Sequence, residues 1–106
     1  MMEKKRIEEL LDRTGIPYRY FLFREDEAVP PPFMVWYLPG TNNFAADGAV
    51  YHRIDRLNIE LYTDQKDVGL EGRLERELEA EGMFWNKTEA YLEDEELYEI
   101  LYEMEV

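Results

Sequence analysis

The sequence predicts an α+β domain: a mostly antiparallel sheet with two helices packed on it and a long projecting β-hairpin, in the order α-β-β-β-α-β-β. Three observations carry this expectation. Arg6-Ile7-Glu8-Glu9-Leu10-Leu11-Asp12-Arg13-Thr14-Gly15-Ile16-Pro17-Tyr18 is echoed by Arg73-Leu74-Glu75-Arg76-Glu77-Leu78-Glu79-Ala80-Glu81-Gly82-Met83-Phe84-Trp85. Each is an amphipathic helix pattern, a glycine stop and an aromatic start of a strand. Between them lies a long region of β-forming residues, and at 106 residues the chain can build one hydrophobic core but not two comfortable ones. Residues 1–106 therefore read as a single domain.

The elements follow in order. Ile7, Leu10 and Leu11 stand at helical spacing with charges between them, and Thr14-Gly15 followed by Pro17 is a strong stop, so the first helix is expected over residues 2–13. Aromatic and apolar residues with interleaved Arg predict a strand over 18–24. Glu25, Asp26 and Glu27 open a loop that ends in Pro30, Pro31 and Pro32, a stiff polyproline segment feeding a short buried strand over 33–38. Residues 41–49, with Asn, Ala, Asp and Gly, suit neither regular state and form the tip of the hairpin.

Residues 50–62 read as one extended strand with a fault in its apolar phase. Val50 and Ile54 share one parity, while Leu57, Ile59 and Leu61 share the other, so a bulge or a change of surroundings is required. At roughly 3.3 Å per residue the strand would be near 40 Å long, so its outer half, with Tyr51, His52 and Arg53, is expected to project beside the loop bearing Phe44. Asp67 is the expected N-cap of a second helix with Leu70, Leu74 and Leu78 on its buried face. Gly69 and Gly72 weaken that helix, so packing must compensate. A strand over 84–92, an acidic turn and a last strand over 97–106 complete the chain. Leu97, Ile100, Leu101 and Met104 also fit a helix, but Tyr98, Ile100, Tyr102, Met104 and Val106 alternate without a fault and favour the strand.

Charge and composition narrow the function. The net charge of −13 is carried almost wholly by the second half: residues 1–53 hold 7 Lys/Arg against 8 Asp/Glu, and residues 54–106 hold 5 against 17. Direct nucleic-acid binding draws on clustered Lys and Arg, and this distribution argues against it. The acidic half is either a solvated face that aids solubility or a surface that meets a basic partner or repels DNA. No apolar run reaches the roughly 18 residues of a membrane span and no signal peptide is visible, so a cytosol-like compartment and no membrane partner are expected. The lack of Cys agrees with that.

No catalytic, cofactor or metal constellation is visible, and the protein is not expected to be an enzyme. With no Ser and no Cys, a nucleophile would have to come from Thr14, Thr41, Thr63, Thr88, a Lys or a carboxylate. His52 is the only His and has no second imidazole near it for a metal site. Glu93, Asp94, Glu95 and Glu96 lack the spacing and glycine of an EF-hand loop and read as a solvated turn. Gly69 and Gly72 sit in a Leu-periodic helix and belong to packing rather than to a phosphate loop. Asn86-Lys87-Thr88 matches a glycosylation sequon, which without a secretion signal is chance. Phe44, in a polar loop with no core available to it, is a loop staple or a docking residue. Open edges on the first strand and the hairpin make self-association the leading physical inference.

Several runs resemble one family in the same order along nearly the whole chain. They are Pro31-Pro32-Phe33-Met34-Val35-Trp36-Tyr37, Asn42-Asn43-Phe44-Ala45-Ala46-Asp47-Gly48 with Val50-Tyr51, Arg56-Leu57-Asn58-Ile59-Glu60-Leu61-Tyr62-Thr63-Asp64, Lys66-Asp67 and Asn86-Lys87-Thr88-Glu89-Ala90-Tyr91. This pattern is similar to the small tail-completion or tail-terminator proteins of siphophages and prophages. The resemblance implies an α+β protein that assembles as a ring, commonly a hexamer, where the tail tube meets the head connector. It implies a virion structural protein of the tail or neck, present in the host cytoplasm during assembly, whose partners are itself, tail-tube and head-connector proteins. Within that expectation Asn42, Asn43, Phe44, Asp47, Tyr51 and Arg53 are candidates for the subunit or tube contact. Glu93, Asp94, Glu95 and Glu96 are candidates for an acidic lumen. The alternative is an acidic DNA mimic or regulatory protein that binds a basic partner.

Overall fold

The computed structural model describes residues 2–46 and 48–106, and for 46 and 50–52 the backbone alone. It is an α+β fold with two helices and a five-stranded, mostly antiparallel sheet. The chain runs α1 (Lys4–Thr14), β1 (Tyr18–Tyr20), β2 (Phe33–Tyr37), β3 (Phe44–Ala46), β4 (Ala49–His52), β5 (Arg56–Thr63), α2 (Val68–Ala80), β6 (Trp85–Leu92) and β7 (Leu97–Glu105). In space the main sheet is ordered β1-β2-β5-β7-β6, and β3 with β4 forms a separate two-stranded sheet. Only β1 and β2 run parallel.

The helix–glycine–strand echo is the frame of the fold. α1 ends at Gly15 and α2 runs out at Gly82, both with φ of +74°, where a side chain would be strained. Each glycine turns the chain into an edge strand, β1 on one side of the sheet and β6 on the other. α1 starts at Lys4 rather than at residue 2, because Glu3 is extended and caps the helix, leaving Met2 to pack against the core. Asp67 caps α2, its side chain accepting from the Leu70 amide at 3.0 Å. The helices lie antiparallel and are joined by Arg6–Glu81, by Arg13 to Glu77 and Glu81, and by Arg73 donating to the Thr14 carbonyl.

Both helices cover the same face of the sheet. The register sets Met34 and Trp36 beside Leu61 and Ile59, and these beside Ile100 and Tyr102. Against this layer pack Ile7, Leu10 and Leu11 from α1 and Leu70, Leu74 and Leu78 from α2. Burial on β5 alternates residue by residue, with Leu57, Ile59, Leu61 and Thr63 buried. The last segment is a strand, because its alternating residues Ile100, Tyr102 and Met104 complete this layer while it pairs with both β5 and β6. Among the described residues one buried side-chain atom lacks a hydrogen-bond partner, the Trp36 Nε1, whose indole meets the Tyr20 ring edge to face at 4.7 Å.

Four expectations about the elements are corrected, and with them the order. The strand over 18–24 stops at Tyr20, because Phe21 adopts φ of +71° and the Leu22 amide donates to the Tyr20 carbonyl, closing a γ-turn. The chain then doubles back across the other face, with Phe21 on Tyr37 and Phe23 on Phe33, which explains why Val35 is buried there. The three prolines are not one uniform polyproline segment: the Pro31–Pro32 peptide is cis and the chain bends. The expected single strand over 50–62 is two strands, β4 and β5, interrupted at residues 53–55, where the apolar phase changes parity. Asp55 there exchanges backbone hydrogen bonds with Val106 and forms an isolated bridge to Thr41. Residues 44–46, expected to be irregular, form β3, because the β4 backbone offers a partner that their own weak propensity does not require. The element order is thus α-β-β-β-β-β-α-β-β.

Gly72 lies within α2, and a Cβ there would meet only the mobile end of Arg76, at 3.3 Å from Nη1. Gly72→Ala should therefore raise the unfolding free energy by about 0.5–1 kcal/mol, read from chemical denaturation.

Candidate functional site

The surfaces that remain after the core is built lie at the two ends of the sheet and on its uncovered face. At one end, beyond the start of β5, stands the ribbon of β3 and β4. Its base is pinned from within the chain. The Asn42 side-chain amide donates to Glu105 at 2.9 Å, and the Asn43 side-chain oxygen accepts from the Ile54 amide at 3.1 Å. Two of the residues expected to meet a partner thus hold the ribbon in place. Phe44 is 61% exposed, and the Arg53 guanidinium reaches the buried Asp55 carboxylate at 3.5 Å. Asp47 and the side chain of Tyr51 lie outside the described residues, as does the side chain of His52.

At the opposite end lies the turn of Glu93, Asp94, Glu95 and Glu96, exposed throughout. Leu92 faces Leu97, so a four-residue loop joins β6 to β7, and Glu96 takes the left-handed conformation at φ of +56°. Because β7 runs from this turn to Glu105, which pairs with Arg56 at the ribbon's base, the two candidate groups are separated by the length of the sheet. The molecule measures 50 × 28 × 24 Å.

The uncovered face carries a constellation that the sequence reading missed. The Tyr37 hydroxyl donates to Glu60 at 2.6 Å, and the Tyr62 hydroxyl lies 2.5 Å from Glu60 and 3.0 Å from Glu99. Burial first, and then hydrogen bonds to both carboxylates, push the Tyr62 phenol well above its ordinary range. The signal was present in the period-2 pattern of β5, since Glu60 and Tyr62 share the parity opposite to Ile59 and Leu61. What the pattern lacked was the identity of the neighbouring strand, which brings Glu99 alongside.

A second network sits between α2 and the edge strand β6. Glu71 is buried and receives Lys66 at 2.7 Å and Lys87 at 3.1 Å. Lys87 also reaches Glu75 at 2.7 Å, Glu75 accepts from the Tyr102 hydroxyl at 2.6 Å, and Lys66 further pairs with Glu89. Burial alone would raise the Glu71 carboxyl, but the hydrogen bonds from the two lysines outweigh it and hold it below its ordinary range. Near the β1 edge the Tyr18 phenol is pushed up to about 12, first by burial and then by its bond to Asp12 at 2.7 Å.

No family model matches the chain, and no curated protein matches it.

The concave features are shallow. A hollow of about 380 Å³ near the ribbon's base is lined by Asn42, Arg56, Asn58, Asn86 and Glu103, with Met104 as an apolar member. Among the described residues no group of three or more His, Cys, Asp or Glu is arranged to hold a metal ion, and no helix is long and apolar enough to cross a membrane.

Glu71→Gln should cost about 2 kcal/mol of stability at neutral pH, since it removes charge-assisted hydrogen bonds at a buried site. The pH dependence has a definite sign. With its folded pKa depressed, Glu71 contributes stability above the ordinary value of 4.5 that is lost as the pH falls through the lower folded value. Denaturation curves between neutral pH and acid should show this component in the wild type and a flatter profile in Glu71→Gln.

Proposed function

We propose that this protein is a virion structural component that completes the phage tail tube and helps join tail to head by assembling as a ring. It works by contact alone, without catalytic turnover or a cofactor. The observation that carries the proposal is the separation of two unlike surfaces on one molecule: a ribbon bearing the exposed Phe44 at one end of the main sheet and a solvent-exposed acidic turn at the other. A ring needs a heterologous contact, made by different patches on neighbouring copies, and a ribbon that leaves the main sheet is suited to reach an adjacent subunit or the tube. Phe44 and Arg53 belong to that contact, with Asn42 and Asn43 setting the ribbon's angle through Glu105 and Ile54. Glu93, Asp94, Glu95 and Glu96 face the lumen, where like charge lets DNA pass without adhering. The sequence resemblance to tail-terminator proteins supplies the biological setting, and the α+β architecture agrees with it.

Negative-stain microscopy and native mass spectrometry of the chain, alone and with purified tail tubes, should reveal closed rings seated on tube ends. A chain that forms no ring in either condition overturns the reading. Phe44→Ala should leave stability within about 0.5 kcal/mol of wild type, as expected for an exposed residue, while sharply reducing ring formation.

A further inference from the structure

The two edges of the main sheet differ. β1 is blunted: it has three residues, and two of its outward carbonyls are occupied within the chain. Pro17, Arg19 and Phe21 are the positions turned toward β2, as the bonds from the Met34 amide to the Pro17 carbonyl and from the Phe21 amide to the Trp36 carbonyl require. Tyr18 and Tyr20 therefore face outward. The Tyr18 carbonyl accepts from Arg19 Nη1 at 2.9 Å and the Tyr20 carbonyl accepts from Leu22. The turn at Phe21 then removes the chain from the edge altogether.

β6 has no such protection. It is eight residues long, exposed over its middle six, and pairs on one side with β7 while no described strand pairs its other side. Its one cation, Lys87, is drawn over the helix-covered face to Glu71 and Glu75 instead of standing out along the edge. A long edge of unpaired backbone groups is a template for another strand.

We propose that the free edge of β6 pairs antiparallel with the same strand of a second copy, about a two-fold axis through Thr88. The pattern of charges selects both the partner and the register. Pairing with Tyr102 and Ile100 puts Lys87 and Glu89 on the helix-covered face, together with Trp85 and Tyr91. A two-fold axis normal to the sheet keeps faces matched, and centred on Thr88 it sets Lys87 opposite Glu89 of the other copy, twice. It also sets Trp85 opposite Tyr91, twice, an aromatic cross-strand pair. Centring the axis one residue either way sets Lys87 against Lys87 or Glu89 against Glu89, and like charges directly opposite are destabilising. The pairing also links the α2–β6 ion-pair networks of the two copies, since Glu89 is already held by Lys66 and Lys87 by Glu75. The result is one continuous ten-stranded sheet with all four helices on one side.

This contact does not rest on the ring reading. It is isologous and closes after two copies, whereas a ring needs a head-to-tail contact made elsewhere.

Sedimentation equilibrium of the full chain should give twice the 12.8 kDa chain mass. Glu89→Lys should reduce this to the monomer mass at the same concentration with an unchanged circular dichroism spectrum, since the exposed Lys66–Glu89 pair contributes little to folding. The native chain has no Cys, so register is read directly by cross-linking. Under mild oxidation Thr88→Cys should form a disulfide-linked dimer and Ala90→Cys alone should not, while a mixture of Asn86→Cys and Ala90→Cys should cross-link. A monomer at concentrations on the order of 100 µM, a dimer indifferent to Glu89→Lys, or self-linking at 90 without linking at 88 would each overturn the proposal. Loss of rings in Phe44→Ala with the dimer retained would separate the two contacts.

Discussion

One-sided burial governs this molecule. The face made by Met34, Trp36, Leu57, Ile59, Leu61, Ile100 and Tyr102 cannot be left in water, and two amphipathic helices close over it. At about 25 cal/mol per Å² of apolar area removed from solvent, this layer supplies the main favourable contribution to folding. β5 is the centre of the arrangement, with β2 on one side and β7 on the other and every second side chain buried. Once that face is committed to the helices, the opposite face has only a partial cover, the aromatic return of Phe21 and Phe23 over β2. Beyond it, Glu60, Tyr62 and Glu99 occupy positions where an apolar layer would demand a second cover.

Charge is deployed around this frame in two ways. Where lysines are available, carboxylates are drawn inward, as Glu71 is beneath Lys66 and Lys87, so that α2 is clipped to the strand at the edge of the sheet. A buried carboxylate held by two cations costs desolvation and returns it through hydrogen bonds, so it contributes more to fixing the position of α2 on β6 than to net stability. At Glu93, Asp94, Glu95 and Glu96, by contrast, the carboxylates stay in solvent. The same composition thus yields a locking cluster at one place and a repulsive surface at another.

These features bear on function through separation. The ribbon of β3 and β4 leaves the sheet at one end, anchored by Asn42, Asn43 and the bridge from Asp55 to the end of the chain. The acidic turn closes the other end. Under the proposed function this division would keep contacts with neighbours apart from the surface presented to a passing polyanion. The unprotected edge of β6 adds a third surface, whose alternating Lys87 and Glu89 complement a copy of themselves.

The sequence by itself determined the local elements. The periodicity of Ile7, Leu10 and Leu11 and of Leu70, Leu74 and Leu78, with glycines at 15 and 82, specified both helices and their stops, because amphipathic period and left-handed caps are properties of neighbouring residues. The alternation of Tyr98 to Met104 specified the last strand for the same reason. The parity change between Val50 and Leu57 announced the break before β5 without saying where it falls. What only the tertiary structure decided is which strands are neighbours. The parallel pairing of β1 with β2 and the meeting of Glu60 with Glu99 depend on partners distant in sequence, whereas the stop at Phe21 and the strand over 44–46 rest on a close turn and a short hairpin that propensity alone did not reveal. The candidate site divided along the same line: Phe44 and the turn at 93–96 were legible as exposed groups, but the use of Asn42 and Asn43 as anchors was not. Pairing between strands is set by the global burial of one face, and no local pattern encodes who stands beside whom.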